Sequence, residues 1–536
     1  MKRSICIISV MVMFVLQMIG QTFDYVKKAG GPGYDWGTGL VTDNQGNIFI
    51  TGYFSANCSF DTIDFSSNGC FDIYLVKLTQ NGTVLWGKSF GGFACDYSTS
   101  ICIDDNQNIY VAGFYAYSSL IIGDTVLSSG DEFNAFLAKF DNNGNFIWAK
   151  SIASTGDDEG LSLKYKNGSI YFSGEFGNTI NLDTFSISSN GLSDAFIARI
   201  DTSGTVIWIR TAGGTGYDSA SGVTVDDNGN IYISGTFSDS VNFGPFQVIS
   251  NGGDDIFICK YDSAGTEQWI RTMGGVSDDQ GSKLATDHSG NVYIVCRISY
   301  DFSIDSFSFF GYRGFMILKF DSNGSFKWLN QAYAAWDSGW SNIITDNNDN
   351  LFLCGEFSDT VFIENDTIIG TGMSTYQGCI ARYTTDGHMV WFKYNTGWGA
   401  CMPACIYASN DSVLWATGMF SGLVLLDDQI LSPTGGNDIF VARLSNIDQL
   451  GVVSNNFGND VSLYPNPAKS NLTLEFKYKY IKEFEIIIYN SLGSVISSEI
   501  SHDNIMTINI GNLPSGLYFV NIFYENNIIA KKFIKD

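Results

Sequence analysis

The sequence predicts an all-β protein, in which seven sheets built from one repeat precede a small Ig-like β-sandwich. Two landmarks carry this prediction, because each recurs at a nearly constant interval through most of the 536 residues. The first is a strand-like run that ends in glycine, and the second is a strand-like run that contains tryptophan. After residue 455 the alternating strands and their Pro, Asn and Gly turns continue, but the repeat does not.

The glycine landmark occurs seven times, and its first four copies stand 61 residues apart. The copies end at Gly52, Gly113, Gly174, Gly235, Cys296, Gly355 and Gly418. The tryptophan landmark keeps nearly the same interval, at Trp86, Trp148, Trp208, Trp269, Trp328 and Trp391. Each repeat contains four strand-like runs. Since four short strands cannot bury both faces of a sheet alone, we expect the repeats to stack radially as a β-propeller.

The two ends of the repeat region predict how the ring closes. The segment FDYVKKAGG (23–31) aligns with VLWGKSFGG (84–92), which places Tyr25 in the tryptophan position. The last repeat stops at Leu444 without a tryptophan strand. The N-terminal strand is therefore expected to complete the last blade, which gives a seven-bladed β-propeller over residues 21–450.

The N-terminus predicts export. Lys2 and Arg3 precede an apolar stretch from Ile5 to Ile19, which is shorter than the roughly 20 residues of a membrane span. This pattern is typical of a signal peptide, and we expect residues 1–20 to be removed; an uncleaved anchor is the alternative. No later stretch is apolar over 18 residues, so no transmembrane segment is expected in the mature chain.

Charge and residue usage exclude several classes of function. The chain has 55 acidic and 29 basic residues, and a net charge of −26 disfavours a nucleic-acid partner. Only three histidines are present, and no Ser/His/Asp set, paired-acid motif, P-loop or dinucleotide loop is visible. We therefore assign no catalytic residue, expect no enzyme activity, and expect no cofactor apart from the calcium considered below.

Five aspartates are candidates for ligand or calcium binding, because they recur every 61 residues in the loops that enter the first strands. They are Asp35, Asp96, Asp157, Asp218 and Asp279. Carboxylates gathered at the mouth of a central channel could bind Ca²⁺, which takes several oxygen ligands. The alternative is that each caps backbone N–H groups of its own turn, and strict repetition favours this structural role.

Other repeated positions can also be interpreted as either structural or functional. One basic residue occurs in the third strand of every repeat, which indicates a structural role. The long connections between second and third strands carry aromatic residues, including Tyr115, Tyr117, Phe246 and Tyr300. These could stack on sugars on one face of the ring or cover the rim of the blades. Cys58 could pair with Cys70, and Cys401 with Cys405, but the connectivity stays open.

Two resemblances add to this interpretation. The pattern G-G-x-x-x-D followed by D-x-x-G-N-x-Y-x-x-G resembles the SBBP repeat, a β-propeller family, over residues 23–444. Residues 455–536 resemble the C-terminal sorting domain of the type IX secretion system of Bacteroidetes. The matching positions are Tyr464, Pro465, Asn466, Pro467, Gly493, Gly516, Leu517, Tyr518, Lys531 and Lys532.

The second resemblance implies a route and partners. It implies passage through the periplasm, recognition by an outer-membrane translocon and its sorting peptidase, and a secreted or cell-surface product whose tail is removed. Attachment to surface lipopolysaccharide often follows in this family. An Ig-like carbohydrate-binding module is the alternative interpretation of the tail.

Three functions remain for the repeat region. A binding or adhesion module for glycans or proteins predicts an aromatic loop face. A polysaccharide-degrading enzyme predicts two apposed acids about 5–10 Å apart in one pocket. A structural spacer predicts neither feature. We expect the binding module.

Overall fold

The computed structural model describes residues 21–448, except 118, 129–131, 306, 311–313, 335–337, 364–365, 371–375 and 411. It also describes 461–536, except 477–483, 491–494, 502, 504 and 525–526. The predicted signal peptide and Gly493 lie outside the described residues. The chain divides into two compact units, residues 1–364 with 369–450 and residues 365–368 with 451–536.

The predicted all-β class is confirmed, since every regular element that the structure describes is a strand. The first unit contains seven antiparallel sheets with four principal strands each. Sheets 1 to 3 comprise β2 (Asp35–Thr42), β3 (Ile48–Phe54), β6 (Asp72–Leu78), β7 (Val84–Phe90); β8 (Asp96–Ile103), β9 (Ile109–Ala116), β12 (Phe133–Phe140), β13 (Phe146–Ile152); and β14 (Asp158–Lys166), β15 (Ser169–Phe176), β18 (Asp194–Asp201), β19 (Val206–Gly213).

Sheets 4 to 7 follow the same plan. They comprise β20 (Ser219–Val225), β21 (Ile231–Phe237), β24 (Asp255–Tyr261), β25 (Glu267–Met273); β26 (Gln280–Thr286), β27 (Val292–Ile298), β30 (Gly314–Phe320), β31 (Phe326–Ala334); β32 (Gly339–Thr345), β33 (Leu351–Ser358), β36 (Tyr376–Tyr383), β37 (Met389–Tyr394); and β39 (Cys401–Asn410), β40 (Val413–Phe420), β43 (Asp438–Ser445) with β1 (Thr22–Ala29). Strand β1 pairs antiparallel with β43, which is the pairing that the sequence predicts. Within the described residues, no helix has the length and apolar character needed to cross a membrane.

Two short strands lie in the connection between the second and third strand of each sheet. They are β4 (Asn57–Phe60), β5 (Ile63–Ser66); β10 (Leu120–Ile122), β11 (Thr125–Leu127); β16 (Thr179–Leu182), β17 (Phe185–Ser188); β22 (Ser240–Phe243), β23 (Phe246–Ile249); β28 (Asp301–Ile304), β29 (Phe307–Phe310); β34 (Thr360–Ile363), β35 (Asp366–Ile369); and β41 (Val424–Leu426), β42 (Gln429–Leu431). A two-residue strand, β38 (Thr396–Gly397), precedes sheet 7.

Two of these connections extend the preceding sheet. Strand β22 pairs with β19, and β34 pairs with β31, so each of these hairpins joins the outer strand of the preceding sheet. Tyr115 is buried, and Phe246 is half-buried against a core. Tyr117 and Tyr300 do remain exposed, at 61% and 51%.

Each described core of the first unit lies between two neighbouring sheets rather than within one. Leu40 and Ile50 of sheet 1 share a core with Trp415 and Val441 of sheet 7. Similar cores join sheets 1 and 2, 2 and 3, 3 and 4, 4 and 5, and 6 and 7. Burying one such Leu, Ile or Phe side chain contributes about 1.5–3 kcal/mol. The stability of a sheet therefore depends on its neighbours.

The tryptophan and basic landmarks fasten consecutive sheets together. Trp269 in sheet 4 packs on Gly324, whose φ of +78° belongs to a tight turn of sheet 5. Its Nε1–H donates to the Ser322 carbonyl at 3.1 Å. Lys260 donates to the same carbonyl at 2.8 Å, and its ammonium lies over the Tyr232 ring. Equivalent contacts recur between other sheets, so these repeated residues are structural.

The second unit is a pair of packed sheets. One has the order β44 (Val461–Tyr464), β45 (Asn471–Phe476), β48 (Ile505–Asn509), and the other β47 (Val495–Ser501), β46 (Phe484–Asn490), β49 (Gly516–Tyr524), β50 (Asn527–Lys535). Leu472, Ile486 and Ile522 belong to the shared core. The Tyr518 ring stacks on Phe533, with ring centroids 5.4 Å apart.

The sorting-signal positions occupy different places in this unit. Residues Tyr464 to Pro467 are exposed, and the Asn466 side chain accepts a hydrogen bond from the Ile534 N–H at 2.9 Å. Gly516 and Leu517 begin β49, whereas Lys531 and Lys532 lie in β50 opposite Val520 and Phe519. The motif at the start of this unit, Tyr464 to Pro467, is therefore hydrogen-bonded to β50, the last strand of the chain.

Candidate ligand-binding mouth of the central cavity

The candidate aspartates lie where the chain enters the first strand of a sheet, and four of the five are buried. One carboxylate oxygen of each accepts a hydrogen bond from the backbone N–H four residues earlier. The bonds are Gly31 to Asp35 (2.8 Å), Gly92 to Asp96 (2.6 Å), Gly214 to Asp218 (2.8 Å) and Gly275 to Asp279 (2.9 Å). Burial raises the pKa of all four carboxyl groups to about 7.

The assignment of Asp157 to this set is wrong. Asp157 is exposed, and the buried Asp158 accepts hydrogen bonds from the N–H groups of Ser154 (2.6 Å) and Gly177 (3.1 Å). The reason is that the second repeat is one residue longer, since Trp148 follows Trp86 by 62 residues. The sequence distance that stays constant is the one from the tryptophan position of the preceding strand to the capping residue. This distance places Asp158, rather than Asp157, at the capping position.

These carboxylates cap separate turns, and Ser338 and Cys401 take the same positions in sheets 6 and 7. Among the described residues, no three His, Cys, Asp or Glu side chains are grouped so that they could hold a metal ion. The capping positions therefore have a structural role in each turn, whatever else they bind.

A central cavity of about 800 Å³ is lined by residues from the first strands of all seven sheets. Consecutive first strands contact one another, and β2 also contacts β39. Hydroxyl groups are frequent on the cavity wall. The wall includes Thr38, Ser98, Thr99, Ser100, Ser162, Ser221 and Ser341.

Seven residue pairs, one in each sheet, lie beside the capping positions, and we call the set the mouth ring. Each pair joins the second residue of a first strand, or its structural equivalent, to the residue that follows the glycine landmark in the second strand. The pairs are Trp36–Tyr53, Tyr97–Phe114, Glu159–Glu175, Ser219–Thr236, Gln280–Arg297, Gly339–Glu356 and Met402–Met419. All members except Met419 are at least partly exposed. Of these residues, Tyr53, Tyr97 and Phe114 also line the cavity.

The sheet 1 and sheet 2 pairs form an aromatic platform. Trp36 stacks on Tyr53 with ring centroids 6.1 Å apart, and Tyr53 contacts Tyr97 of the next sheet at 4.9 Å. Tyr97 contacts Phe114 at 5.0 Å. Phe71, Phe133 and Tyr117 extend this set away from the cavity. Half-exposed rings in contact with one another present a continuous apolar surface with polar edges.

One disulfide is present among the described residues, in the loops that adjoin this platform. Cys70 bonds to Cys95, so neither predicted pairing is correct. Cys70 precedes Phe71, and Cys95 lies two residues before Tyr97. The bond therefore joins the loops of sheets 1 and 2 that carry the platform, which restricts their relative movement.

The ring pairs of sheets 3 and 6 carry acidic side chains. Glu159 and Glu175 face each other on neighbouring strands. Burial and the Glu175 charge raise the pKa of Glu159 to about 7, and burial also raises the pKa of Glu175. Burial raises the pKa of Glu356 to about 7, although Ser341 donates to its carboxylate at 3.1 Å and the Arg297 charge opposes the rise.

The loops that enter the first strands add further exposed apolar side chains on the same side. Phe93 and Trp398 are each 85% exposed, and Tyr217 and Tyr34 are 63% and 59% exposed. Sequence reasoning missed both these residues and the mouth ring. The available signal was variability, because no two repeats carry the same ring pair although the pairs adjoin nearly invariant aspartate and glycine positions.

Two protein-family descriptions match the chain. A secretion system C-terminal sorting domain matches residues 462–536, and a beta-propeller repeat matches residues 24–53 and 207–236. The chain carries β-propeller repeats and a secretion sorting tail. The sorting tail implies secretion to the cell surface through the type IX system.

Two protein sequences are similar over part of their length. An uncharacterized WD repeat-containing protein of Acanthamoeba polyphaga mimivirus is 20% identical over 501 residues, which covers 74% of this chain and 36% of that protein. Regulatory protein FlaEY of Caulobacter vibrioides is 24% identical over 166 residues, covering 30% of this chain and 17% of that protein. The chain thus spans about a third or less of the length of these relatives.

Two solved structures are also similar. PorZ, a surface component of the type-IX secretion system of Porphyromonas gingivalis, has a TM-score of 0.18 at 10% identity, covering 95% of this chain and 100% of that chain. A member of the duf4221 family from Bacteroides vulgatus has a TM-score of 0.27 at 10% identity, covering 62% of this chain and 93% of that chain.

Proposed function

We propose that this is a cell-surface, seven-bladed β-propeller that binds glycans at its mouth ring. The observation that carries the proposal is the aromatic platform of Trp36, Tyr53, Tyr97 and Phe114. Sugar rings present apolar C–H faces and polar hydroxyl edges, and half-exposed aromatic rings match both. The hydroxyl-lined cavity and the nearby glutamates supply hydrogen-bonding groups that fix orientation.

The proposal includes a closed ring, because the ring holds the platform and the glutamates around one opening. Its support is the pairing of β1 with β43, the core shared by sheets 7 and 1, and the contact between β2 and β39. Deletion of residues 21–29 tests the closure. A closed ring predicts cooperative loss of structure throughout sheets 1 and 7, measured by amide hydrogen exchange. Loss confined to the partner strand β43 would contradict it.

Glycan binding is tested with the exported chain, residues 21–536, on a panel of glycans and extracellular-matrix proteins. Tyr53→Ala is expected to weaken glycan binding at least about tenfold, equivalent to about 1.4 kcal/mol. Phe362→Ala is the matched control, because Phe362 is 48% exposed on an outer hairpin. Equal affinity of both variants, or binding of proteins alone, would overturn the glycan assignment. Adding Ca²⁺ and then chelator tests calcium dependence in the same assay.

The export partners are also part of the proposal. The outer-membrane translocon and the sorting peptidase are proposed to recognise residues 455–536. A chain truncated after residue 454 is expected to accumulate in the periplasm, while the full chain reaches the surface. Surface display of the truncated chain would contradict this role of the tail.

Polysaccharide degradation is the second candidate, and the Glu159–Glu175 pair is the observation that favours it. Two carboxyl groups on one side of a cavity, with different environments, can divide the roles of acid and base. The activity predicts new reducing ends in polysaccharide digests, lost in Glu159→Gln and Glu175→Gln. Binding without any cleavage across the panel would reject it.

A further inference from the structure

The central cavity contains two lysines that the proposed glycan platform does not use. Lys164 lies in the first strand of sheet 3, and Lys283 lies in that of sheet 5. Both line the cavity that also exposes Tyr53, Tyr97 and Phe114. No Asp or Glu occurs among the described residues that line it, although acidic residues outnumber basic ones 55 to 29 in the chain. The lining therefore reverses the charge balance of the protein.

The Lys283 ammonium is held across the cavity rather than against its own sheet. Its Nζ donates to the Leu161 carbonyl of sheet 3 at 2.9 Å and to the Ser221 carbonyl of sheet 4 at 2.7 Å. Burial lowers the pKa of Lys283 to about 8, so the group is mostly protonated at neutral pH. An ammonium has three donor hydrogens, and these two carbonyls are neutral acceptors.

Lys164 has a different environment. Its side chain is exposed to the cavity, and no hydrogen-bond or ion-pair partner is found for it among the described residues. Burial of its site and the nearby Lys166 charge lower its pKa. Lys166 is itself paired with Asp227 at 2.7 Å, and Lys164 also borders a second cavity whose lining includes Asp227, Asp287 and Asp346. An exposed ammonium without a partner among the described residues can donate charge-assisted hydrogen bonds to an anionic group of a ligand.

We infer that the bound glycan is acidic, and that Lys164 and Lys283 take its carboxylate or sulfate group while the aromatic platform holds its sugar rings. This inference rests on the proposed glycan binding, since one cavity joins the platform to both lysines. Its volume of about 800 Å³ lies within the range of roughly 300–1,000 Å³ found for ligand pockets. The mouth glutamates Glu159, Glu175 and Glu356 are not part of the lining, so the lysines define the charge of the interior.

The test is calorimetric titration of the exported chain with matched acidic and neutral polymers. Oligomers of polygalacturonate and their methyl esters test the carboxylate source, and dextran sulfate and dextran oligomers test the sulfate source. The acidic member of at least one pair is expected to bind at least about tenfold more tightly than its neutral partner, as charge-assisted hydrogen bonds to an ammonium require. The anionic group that the site recognises, carboxylate or sulfate, is then the one carried by the polymer that binds.

Substitution assigns the charge to the lysines. Lys164→Met is expected to reduce acidic binding about tenfold or more. Lys283→Met is a second variant, checked for folding because it removes two cross-sheet hydrogen bonds. Lys327→Met is the matched control, since Lys327 is 45% exposed in a surface ion pair with Asp321.

Two failures are distinguishable. Equal binding of acidic and neutral polymers, or equal effects of Lys164→Met and Lys327→Met, would overturn the acidic-glycan inference and leave glycan binding intact. No binding of any polymer, acidic or neutral, would overturn the proposed function and this inference together.

Discussion

The capping positions and the mouth ring are neighbours along the first strands, yet the repeats treat them differently. Five of the seven capping positions hold a buried aspartate that accepts a turn N–H. The adjoining ring pairs range from two aromatics through two glutamates to two methionines. Positions that repeat are those on which every blade depends. Positions that vary are the ones that we propose to contact a ligand.

The largest expected effect on stability falls on the repeated tryptophan positions. Trp269→Ala is expected to lower the free energy of unfolding by about 3–5 kcal/mol, because it leaves a cavity against Gly324 and removes a hydrogen bond. Trp398→Ala, at an 85% exposed side chain, is expected to change it by less than about 0.5 kcal/mol. Denaturant titration measures both values. Similar values for the two variants would remove the contrast between repeated and variable positions.

The disulfide should have the next largest effect. Replacing both Cys70 and Cys95 by serine is expected to cost about 2–4 kcal/mol, since the bond closes a loop between two sheets. Glycan binding should weaken as well, because the aromatic platform then lacks its cross-link. Cys405→Ser is the control, as Cys405 forms no disulfide. Unchanged binding in the double variant would show that the platform is held by packing alone.

The capping aspartates should make stability depend on pH. Burial raises the pKa of Asp35, Asp96, Asp158, Asp218 and Asp279 to about 7, whereas an unfolded aspartate titrates near 3.9. Between about pH 4 and pH 7 the folded state therefore binds more protons than the unfolded state. The stabilising contribution of this set is therefore complete below about pH 4 and is lost as pH rises through about 7.

Asp96→Asn tests this sign, because an amide oxygen can still accept the Gly92 N–H but cannot ionise. As pH rises from 4 to 8, the stability of the variant minus that of the native chain is expected to increase. Thermal melting of both proteins across this pH range measures the difference. A difference between the two proteins that does not change with pH would refute the assignment. Asp96→Ala, which leaves the N–H unpaired, should cost about 1–3 kcal/mol.

The smallest effect is expected for a substitution in the mouth ring outside the aromatic platform. Gln280 is exposed in the sheet 5 pair, outside the platform. Gln280→Ala is expected to leave unfolding within about 0.5 kcal/mol and glycan affinity within about twofold. A loss of affinity as large as that of Tyr53→Ala would extend the contact surface around the whole ring.

The features that the sequence predicted correctly are those that recur at the regular interval of the repeat. The all-β class, the pairing of β1 with β43 and the structural role of the repeated basic residues all follow from the 61-residue interval. Asp157 was misassigned because the interval is a property of whole repeats, whereas the turn geometry selects Asp158. Cys70 and Cys95 become neighbours only where sheets 1 and 2 meet, which no sequence spacing reveals. The mouth ring was missed because repetition was the guide, and its members do not repeat.

The most direct test exchanges one ring pair for another from the same chain. Tyr97→Ser combined with Phe114→Thr gives sheet 2 the pair that sheet 4 carries, Ser219 and Thr236. Recognition by the aromatic platform predicts a folded protein, with an unfolding midpoint close to that of the native chain, and at least about tenfold weaker glycan binding. Unchanged glycan affinity in a folded double variant would contradict recognition by the aromatic platform.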